Sequence, residues 1–104
     1  MYLVCGEALF DFFSEDDAAG KASLVNYKAI AGGSPFNVAV GLRRLGIDAG
    51  FFAGVSSDFL GRRLVQVLKE EGVREDYLLE FAAPTTLAMV AVGANGSPQY
   101  SFRG

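Results

Sequence analysis

The sequence predicts an α/β fold, in which short apolar strands alternate with amphipathic helices. Two observations indicate the helices: apolar residues recur at helical spacing after Pro35 and again after Asp58, and each run ends at a glycine. A third observation indicates the strands, because short apolar runs precede, separate and follow these helices. Short connections between a strand, a helix and the next strand imply parallel strands joined by right-handed crossovers.

The N-terminal quarter of the chain predicts three extended segments. Residues 2–5 form an apolar run, in which Cys5 is expected to be a small apolar filler of a buried strand. A second apolar run covers residues 8–13 and is interrupted by Asp11. A polar, glycine-containing turn is expected over residues 14–21, and the loose alternation of residues 24–30 predicts a further strand.

The first helix has clear start and stop signals. Ser34 is the expected N-cap, and Pro35 then occupies the first helical position, where its missing N–H costs nothing. Gly46 is the expected stop after a last turn that carries two arginines, which suit the helix dipole. One broad apolar face contains Phe36, Ala39, Val40, Leu42 and Leu45.

The rest of the chain predicts a second helix and more strands. A buried strand is expected over residues 47–55, and Asp58 with the two preceding serines is expected to cap a helix that Gly72 ends. A short strand at residues 77–81 follows, and then a hairpin whose Asn-Gly turn falls within residues 94–97. The phenylalanines expected in the core are Phe51, Phe52 and Phe59.

Composition narrows the function classes. The 104 residues are 51% hydrophobic, with a mean hydropathy of +0.28, so some apolar surface is expected to be covered by protein outside this sequence. The net charge of -3, without a polybasic run, argues against nucleic acid as a partner. Absence of histidine excludes a Ser-His-Asp triad and histidine-based zinc sites within these residues. The sequence shows neither a membrane span nor a basic leader, so a cytoplasmic location is expected.

Four features are candidates for binding. The pair Gly32-Gly33 is by itself an ordinary tight turn, although the same loop can admit a ligand to a helix N-terminus. Asn37 either bonds nearby loop backbone or reads a hydroxyl, since an amide both donates and accepts. Asp11 faces solvent or accepts hydrogen bonds from a ligand. Arg103 is either an ordinary exposed arginine or a contact to a ligand or phosphate.

Together these pieces resemble the N-terminal part of the PfkB, or ribokinase-like, carbohydrate kinases, and the fructokinase-like members in particular. The resemblance runs through essentially the whole chain. The matching segments are Cys5 to Phe12, Gly32 to Ala39 with Leu45-Gly46, Phe52 to Val55 with Asp58 and Gly61, Thr85 to Ala88, and Tyr100 to Arg103. One departure is Ser56, which stands where the family usually has glycine.

The resemblance implies a three-layer α/β domain with a small β-lid, of which residues 1–104 are the N-terminal portion. Lid segments are expected at about 12–30 and 87–102, with a sugar bound between the lid and the main sheet. The residues implied to bind the substrate are Asp11, Gly32, Gly33, Asn37 and Arg103. A homodimer that pairs through the lids is also implied.

The implied reaction is transfer of the γ-phosphoryl group of ATP to a sugar hydroxyl, with Mg²⁺ neutralising charge and fructose as the favoured sugar. The family's general base is an aspartate in a Gly-Ala-Gly-Asp motif that does not occur here, so it is expected beyond residue 104, together with most of the ATP and Mg²⁺ sites. Residues 1–104 alone are therefore expected to be inactive. The alternatives are a 2-keto-3-deoxygluconate or nucleoside kinase of the same family, or a non-catalytic module that binds a polyol or a partner.

Overall fold

The computed structural model describes residues 1–15, 20–92 and 98–104. Within these residues it contains seven strands and two helices, and no helix there is long and apolar enough to cross a membrane. In chain order they are β1 (Tyr2–Cys5), β2 (Leu9–Glu15), β3 (Asn26–Gly32), α1 (Ser34–Arg44), β4 (Ala49–Ser56), α2 (Phe59–Glu70), β5 (Leu78–Phe81), β6 (Leu87–Val92) and β7 (Pro98–Arg103). The Asn-Gly turn expected at residues 94–97 lies outside the described residues.

The first sheet is parallel and has the order β1-β4-β5. Val4 pairs with Phe51 and Ala53 with Leu78, which places these four apolar side chains on one face. Both helices cover that face, and Phe51 and Leu64 are almost completely buried there. The predicted α/β class and the predicted parallel pairing are therefore confirmed.

The second sheet is mixed and has the order β3-β2-β6-β7. Strand β2 pairs antiparallel with β3 and parallel with β6, and β6 pairs antiparallel with β7. Phe10 on β2 is buried in the same core as the helices, so this sheet is anchored to the first sheet through a shared apolar cluster.

The helix starts differ from the prediction at one position. Gly33, not Ser34, is the N-cap of α1, because the Gly33 carbonyl accepts the Asn37 N–H at 2.9 Å and Ser34 is already helical. Gly33 takes this place because its φ of +103° turns the chain sharply into the helix. The predicted stops at Gly46 and Gly72 are confirmed, with φ of +81° and +75°.

Three side chains expected inside the protein are exposed. Cys5 pairs with Phe52, and both point away from the helices, so Phe52 stays 46% exposed. Phe59 is the first residue of α2, and its ring is 65% exposed. Within the described residues no helix packs on this side of the first sheet. We call it the open face; it consists of Leu3, Cys5, Phe52, Leu79 and Phe81.

Candidate functional site

A cleft of about 630 Å³ lies between the second sheet and the first turn of α1. It brings together three of the five residues that the sequence singled out, namely Asp11, Gly33 and Asn37. The complete lining is Leu9, Asp11, Gly33, Ser34, Asn37, Val38 and Phe102.

The carboxylate of Asp11 depends on a missing side chain. In the antiparallel pairing of β2 with β3, Leu9 pairs with Gly32 and Asp11 with Ile30, so Asp11 and Gly32 lie on the same face. A Cβ atom on Gly32 would lie 2.6 Å from Oδ2 of Asp11. Gly32 is buried and does not line the cleft itself, but it leaves room for the carboxylate that does.

Gly33 allows the backbone to pass close to the start of β2. A Cβ atom on Gly33 would lie 2.9 Å from the carbonyl oxygen of Glu7, and the positive φ adds strain for any other residue. Helix α1 has no side-chain cap and no acidic residue in its first turn. Its first N–H groups, with the positive end of the helix dipole, therefore lie at the cleft without a capping side chain.

Neighbouring residues of β7 lie on opposite faces of the second sheet. Ala88 pairs with both Asp11 and Phe102, so Phe102 shares the face of Asp11. Leu87 pairs with both Phe10 and Arg103, so Arg103 starts from the opposite face and does not line the cleft. Sequence reasoning therefore missed Phe102; alternation along residues 98–103 separates it from Arg103, but only the strand register shows which of them faces the cleft.

Polar groups in the cleft are available to a ligand. Among the described residues, neither the carboxylate of Asp11 nor the side-chain amide of Asn37 has a hydrogen-bond partner. A carboxylate accepts hydrogen bonds, and an amide both donates and accepts them. The apolar side chains of Leu9, Val38 and Phe102 complete the walls. This combination suits a small molecule with several hydroxyl groups and an apolar C–H face.

The donor set does not suit a metal ion. In residues 1–15, 20–92 and 98–104, no three His, Cys, Asp or Glu side chains come together as ligands would. A single carboxylate and an amide offer too few oxygen ligands to hold Mg²⁺ without other groups. We therefore assign no metal to this cleft.

A second cleft, of about 450 Å³, lies between α2 and β5 and is a weaker candidate. Both positively and negatively charged side chains line it, and Nζ of Lys69 lies 3.8 Å from Oε1 of Glu75. None of the residues singled out from the sequence is found there. The cleft at Asp11 is therefore the better candidate for a ligand site.

Comparison with known proteins identifies the family of the chain. The model of the pfkB family of carbohydrate kinases matches residues 1–102. A fructokinase of Rhizobium leguminosarum bv. trifolii is 38% identical over 102 residues, which are 98% of this chain and 30% of that protein. A probable chloroplastic fructokinase of Arabidopsis thaliana is 36% identical over 97% of this chain and 27% of its own length.

Solved structures give the same result. The fructokinase of Xylella fastidiosa superposes with a TM-score of 0.88 at 36% identity, over 97% of this chain and 31% of that one. A second structure of the Xylella protein, with bound ATP, also gives a TM-score of 0.88, at 35% identity over 99% of this chain and 32% of that one. Residues 1–104 thus span about a third of the length of these relatives. The match over residues 1–102 shows that the chain belongs to the pfkB family of carbohydrate kinases.

Proposed function

We propose that residues 1–104 form the sugar-binding part of a kinase that transfers the γ-phosphoryl group of ATP to a hydroxyl of fructose. The observation that carries the proposal is the convergence of Asp11, Gly33 and Asn37 on one cleft beside Phe102. Fructose is favoured over other sugars because the relatives described above are named fructokinases.

Four residues of the cleft, together with Gly32, have definite roles in this proposal. Asp11 accepts hydrogen bonds from sugar hydroxyls, and Asn37 donates to one hydroxyl and accepts from another. Gly33 lets the sugar approach the backbone at the start of α1, while Gly32 makes room for the Asp11 carboxylate. Phe102 packs against the carbon face of the sugar.

A contact of Arg103 with the sugar stays a prediction. Its register places it on the opposite face from Asp11. It is exposed at the end of β7, an edge strand of the second sheet, so a contact requires the side chain to fold around that edge.

The phosphoryl-transfer groups belong to another part of the protein in this proposal. ATP and Mg²⁺ bind mainly outside residues 1–104, where Mg²⁺ neutralises charge on the transferred phosphate. The general base that takes the proton of the sugar hydroxyl also lies there. Residues 1–104 bind and orient the sugar and limit its contact with water. We call the longer protein that this proposal requires the complete kinase.

The second sheet acts as the lid over the sugar in this proposal, with its two segments at about 12–30 and 87–102. Several of its apolar side chains are exposed, among them Tyr27, Ile30 and Tyr100. Ile30 and Tyr100 lie on the same face as Asp11, and Tyr27 lies on the opposite face. Exposed apolar side chains on this sheet support a homodimer that pairs through the lids. A cytoplasmic location likewise remains a prediction.

Release of ADP by the complete kinase tests the proposal. Fructose is expected to give the highest kcat/KM in a panel with 2-keto-3-deoxygluconate, a nucleoside and a blank without sugar. Preference for one of the other two compounds would replace fructose as the substrate. No turnover of any of them, with fructose binding intact, would favour a non-catalytic polyol-binding module. The 104-residue chain alone is expected to release no ADP above the blank.

A further inference from the structure

The carboxylate of Asp58 connects the start of α2 to the beginning of the second lid segment. Its Oδ1 accepts the Gly61 N–H at 2.7 Å, which is an N-cap bond, and also the Thr85 hydroxyl at 2.5 Å. Its Oδ2 accepts the Thr85 N–H at 2.9 Å. The Ser56 hydroxyl oxygen accepts the Asp58 N–H at 3.0 Å and so helps to hold this turn.

Thr85 is a polar residue in a buried position. It is only 7% exposed and lies two residues before β6. Its neighbour Thr86 accepts the N–H of Phe10 on β2 at 3.2 Å. Gly104, just after β7, packs so closely that a Cβ there would lie 2.8 Å from the Cα of Thr86. Three strands of the second sheet therefore meet beside the residue that Asp58 holds.

The hydrogen-bonded contact between Asp58 and Thr85, which we call the junction, is close in sequence to residues that form the walls of the cleft. Ala88 follows Thr85 by three positions and pairs with Asp11 on one side and Phe102 on the other. A shift of Thr85 relative to α2 therefore moves β6, and with it the two residues that pair with Ala88. The start of α1, with Asn37, is held in the core by Phe36, which lies in the same apolar cluster as Phe10 of β2.

We propose that Asp58 is a positioning residue for sugar binding, which fixes the second lid segment relative to the helices through its hydrogen bonds to Thr85. This inference rests on the proposed function, because the lid residues it positions are those assigned to the sugar. Asp58 itself does not line the cleft. Asp11 and Phe102 belong to the second sheet, and Asn37 belongs to α1. Asp58 acts by setting the distance between these two sides of the cleft.

Substitution of Asp58 by asparagine tests its bond to Thr85 separately from its role as the helix cap. Asp58→Asn keeps one oxygen for the Gly61 N–H and remains a good N-cap residue. Its NH₂ group then faces the Thr85 N–H, so a donor opposes a donor where Oδ2 now accepts. Thr85→Val removes the hydroxyl that donates to Asp58, and Thr85→Ser keeps this hydroxyl.

The test compares these variants in the complete kinase. Loss of a charge-assisted hydrogen bond at the junction is expected to raise KM for fructose by about fivefold to tenfold in Asp58→Asn and Thr85→Val, with kcat within about twofold of the parent. Thr85→Ser is expected to restore KM to near the parent value. Arg62→Gln is the matched control, since within the described part of the chain the Arg62 side chain bonds only the exposed Ser57 carbonyl at the same helix start.

Amide hydrogen exchange supplies the second readout. Faster exchange confined to β6 and β7 in Asp58→Asn supports the inference. Unchanged KM, or exchange that is faster equally in β4 and α1, overturns it, because Asp58 is then only a helix cap. If the parent protein does not phosphorylate fructose, the proposed function fails, whereas the exchange pattern still decides whether Asp58 fixes the second sheet.

Discussion

Gly32 and Asp11 occupy neighbouring positions across β3 and β2, and the carboxylate of Asp11 lies where a side chain on Gly32 would point. The Oδ2 atom is 2.6 Å from the position of a Cβ on Gly32. This separation is too short for a carbon atom and an oxygen atom that are not bonded. The orientation of Asp11 toward the cleft therefore depends on glycine at position 32.

Substitution Gly32→Ala is expected to weaken sugar binding more than it weakens the fold. The added methyl pushes the end of a flexible side chain rather than backbone, so the free energy of unfolding should fall by only about 1 kcal/mol. Displacement of the carboxylate costs hydrogen bonds to hydroxyls, so KM for fructose in the complete kinase should rise about tenfold. Steady-state kinetics and urea unfolding measure the two effects.

Gly41→Ala is the matched control for this experiment. Gly41 lies within α1, and a Cβ there would meet nothing within 4 Å. Alanine should therefore stabilise the protein by about 0.5–1 kcal/mol through helix propensity, without a change in KM. An unchanged KM in Gly32→Ala would show that Asp11 does not bind the sugar in this position.

Asn37→Leu is expected to reduce sugar affinity with little change in stability. Asn37 is exposed on the first turn of α1, and leucine keeps its shape while removing the donor and the acceptor. Loss of two hydrogen bonds of about 1 kcal/mol each predicts a rise in KM of roughly tenfold or more. Leu45→Gln, at the exposed far end of the same helix, should leave KM unchanged. Equal effects of both variants would contradict a specific role for the amide.

Local signals in the sequence predicted most of the fold. Gly46 and Gly72 end their helices because positive φ is accessible to glycine, and Asp58 caps α2 because its short carboxylate reaches the N–H of Gly61. Such signals depend on only a few neighbouring residues. They failed at Ser34, where the geometry of Gly33 and its close approach to Glu7 decided the start of the helix.

Features that depend on which elements meet were harder to predict. Phe51 and Phe52 are adjacent and equally apolar, but only Phe51 faces the helices. Phe102 and Arg103 differ in the same way, and only the pairing with β6 places Phe102 at the cleft. The bond between Asp58 and Thr85 spans 27 positions, and no local pattern indicates it.

Gly61→Ala is expected to destabilise the fold more than Gly32→Ala, Gly41→Ala or Gly46→Ala. A Cβ on Gly61 would lie 1.9 Å from the carbonyl oxygen of Ser56, which is backbone and cannot swing away. Helix α2 would have to move off the end of β4, which weakens the packing of Leu64 and costs about 2–3 kcal/mol.

Unfolding of the four variants in urea gives a ranking that tests this interpretation. Gly46→Ala is free of contacts but has a φ of +81°, so it should cost about 1–2 kcal/mol. The expected order of stability is Gly41→Ala, then Gly32→Ala and Gly46→Ala together, then Gly61→Ala. If Gly61→Ala were as stable as Gly46→Ala, Gly61 would not lie as close to the carbonyl oxygen of Ser56 as described.

Titration of Asp58 should make the protein less stable in acid. Hydrogen bonds from the Thr85 hydroxyl, the Thr85 N–H and the Gly61 N–H lower the pKa of Asp58 from 3.8 to about 2. Because the folded pKa lies below the unfolded one, the stabilisation is complete above about pH 5 and is lost as the pH falls from about 4 to 2.

Two measurements check this effect. Carboxyl ¹³C chemical shifts should give Asp58 a midpoint near 2, and a midpoint near 3.8 would mean that the bonds to Thr85 are absent in solution. Arg74 lowers the pKa of Asp48, and Arg44 lowers the pKa of Glu71. Protonation of these two carboxylates in acid therefore also destabilises the fold. Comparison of the parent with Asp58→Asn removes their shared contribution, and the parent should lose more stability between pH 4 and 2.

Cys5 is expected to report whether the open face of the first sheet is covered. Its side chain is exposed beside Phe52, which is itself 46% exposed, on the side of the sheet away from the helices. The thiol of the folded 104-residue chain should therefore react with an aromatic disulfide reagent within about tenfold of the rate in urea, since access controls the rate.

The complete kinase should give a different rate. An exposed apolar face formed by Leu3, Phe52 and Phe81 is typical of a surface that other protein covers. Labelling of Cys5 should then slow by more than about tenfold relative to the 104-residue chain, as expected for a buried thiol. A Cys5→Ser variant identifies any signal from other cysteines. Equal rates in the two proteins would show that the open face remains in contact with solvent, and that the high apolar content has another cause.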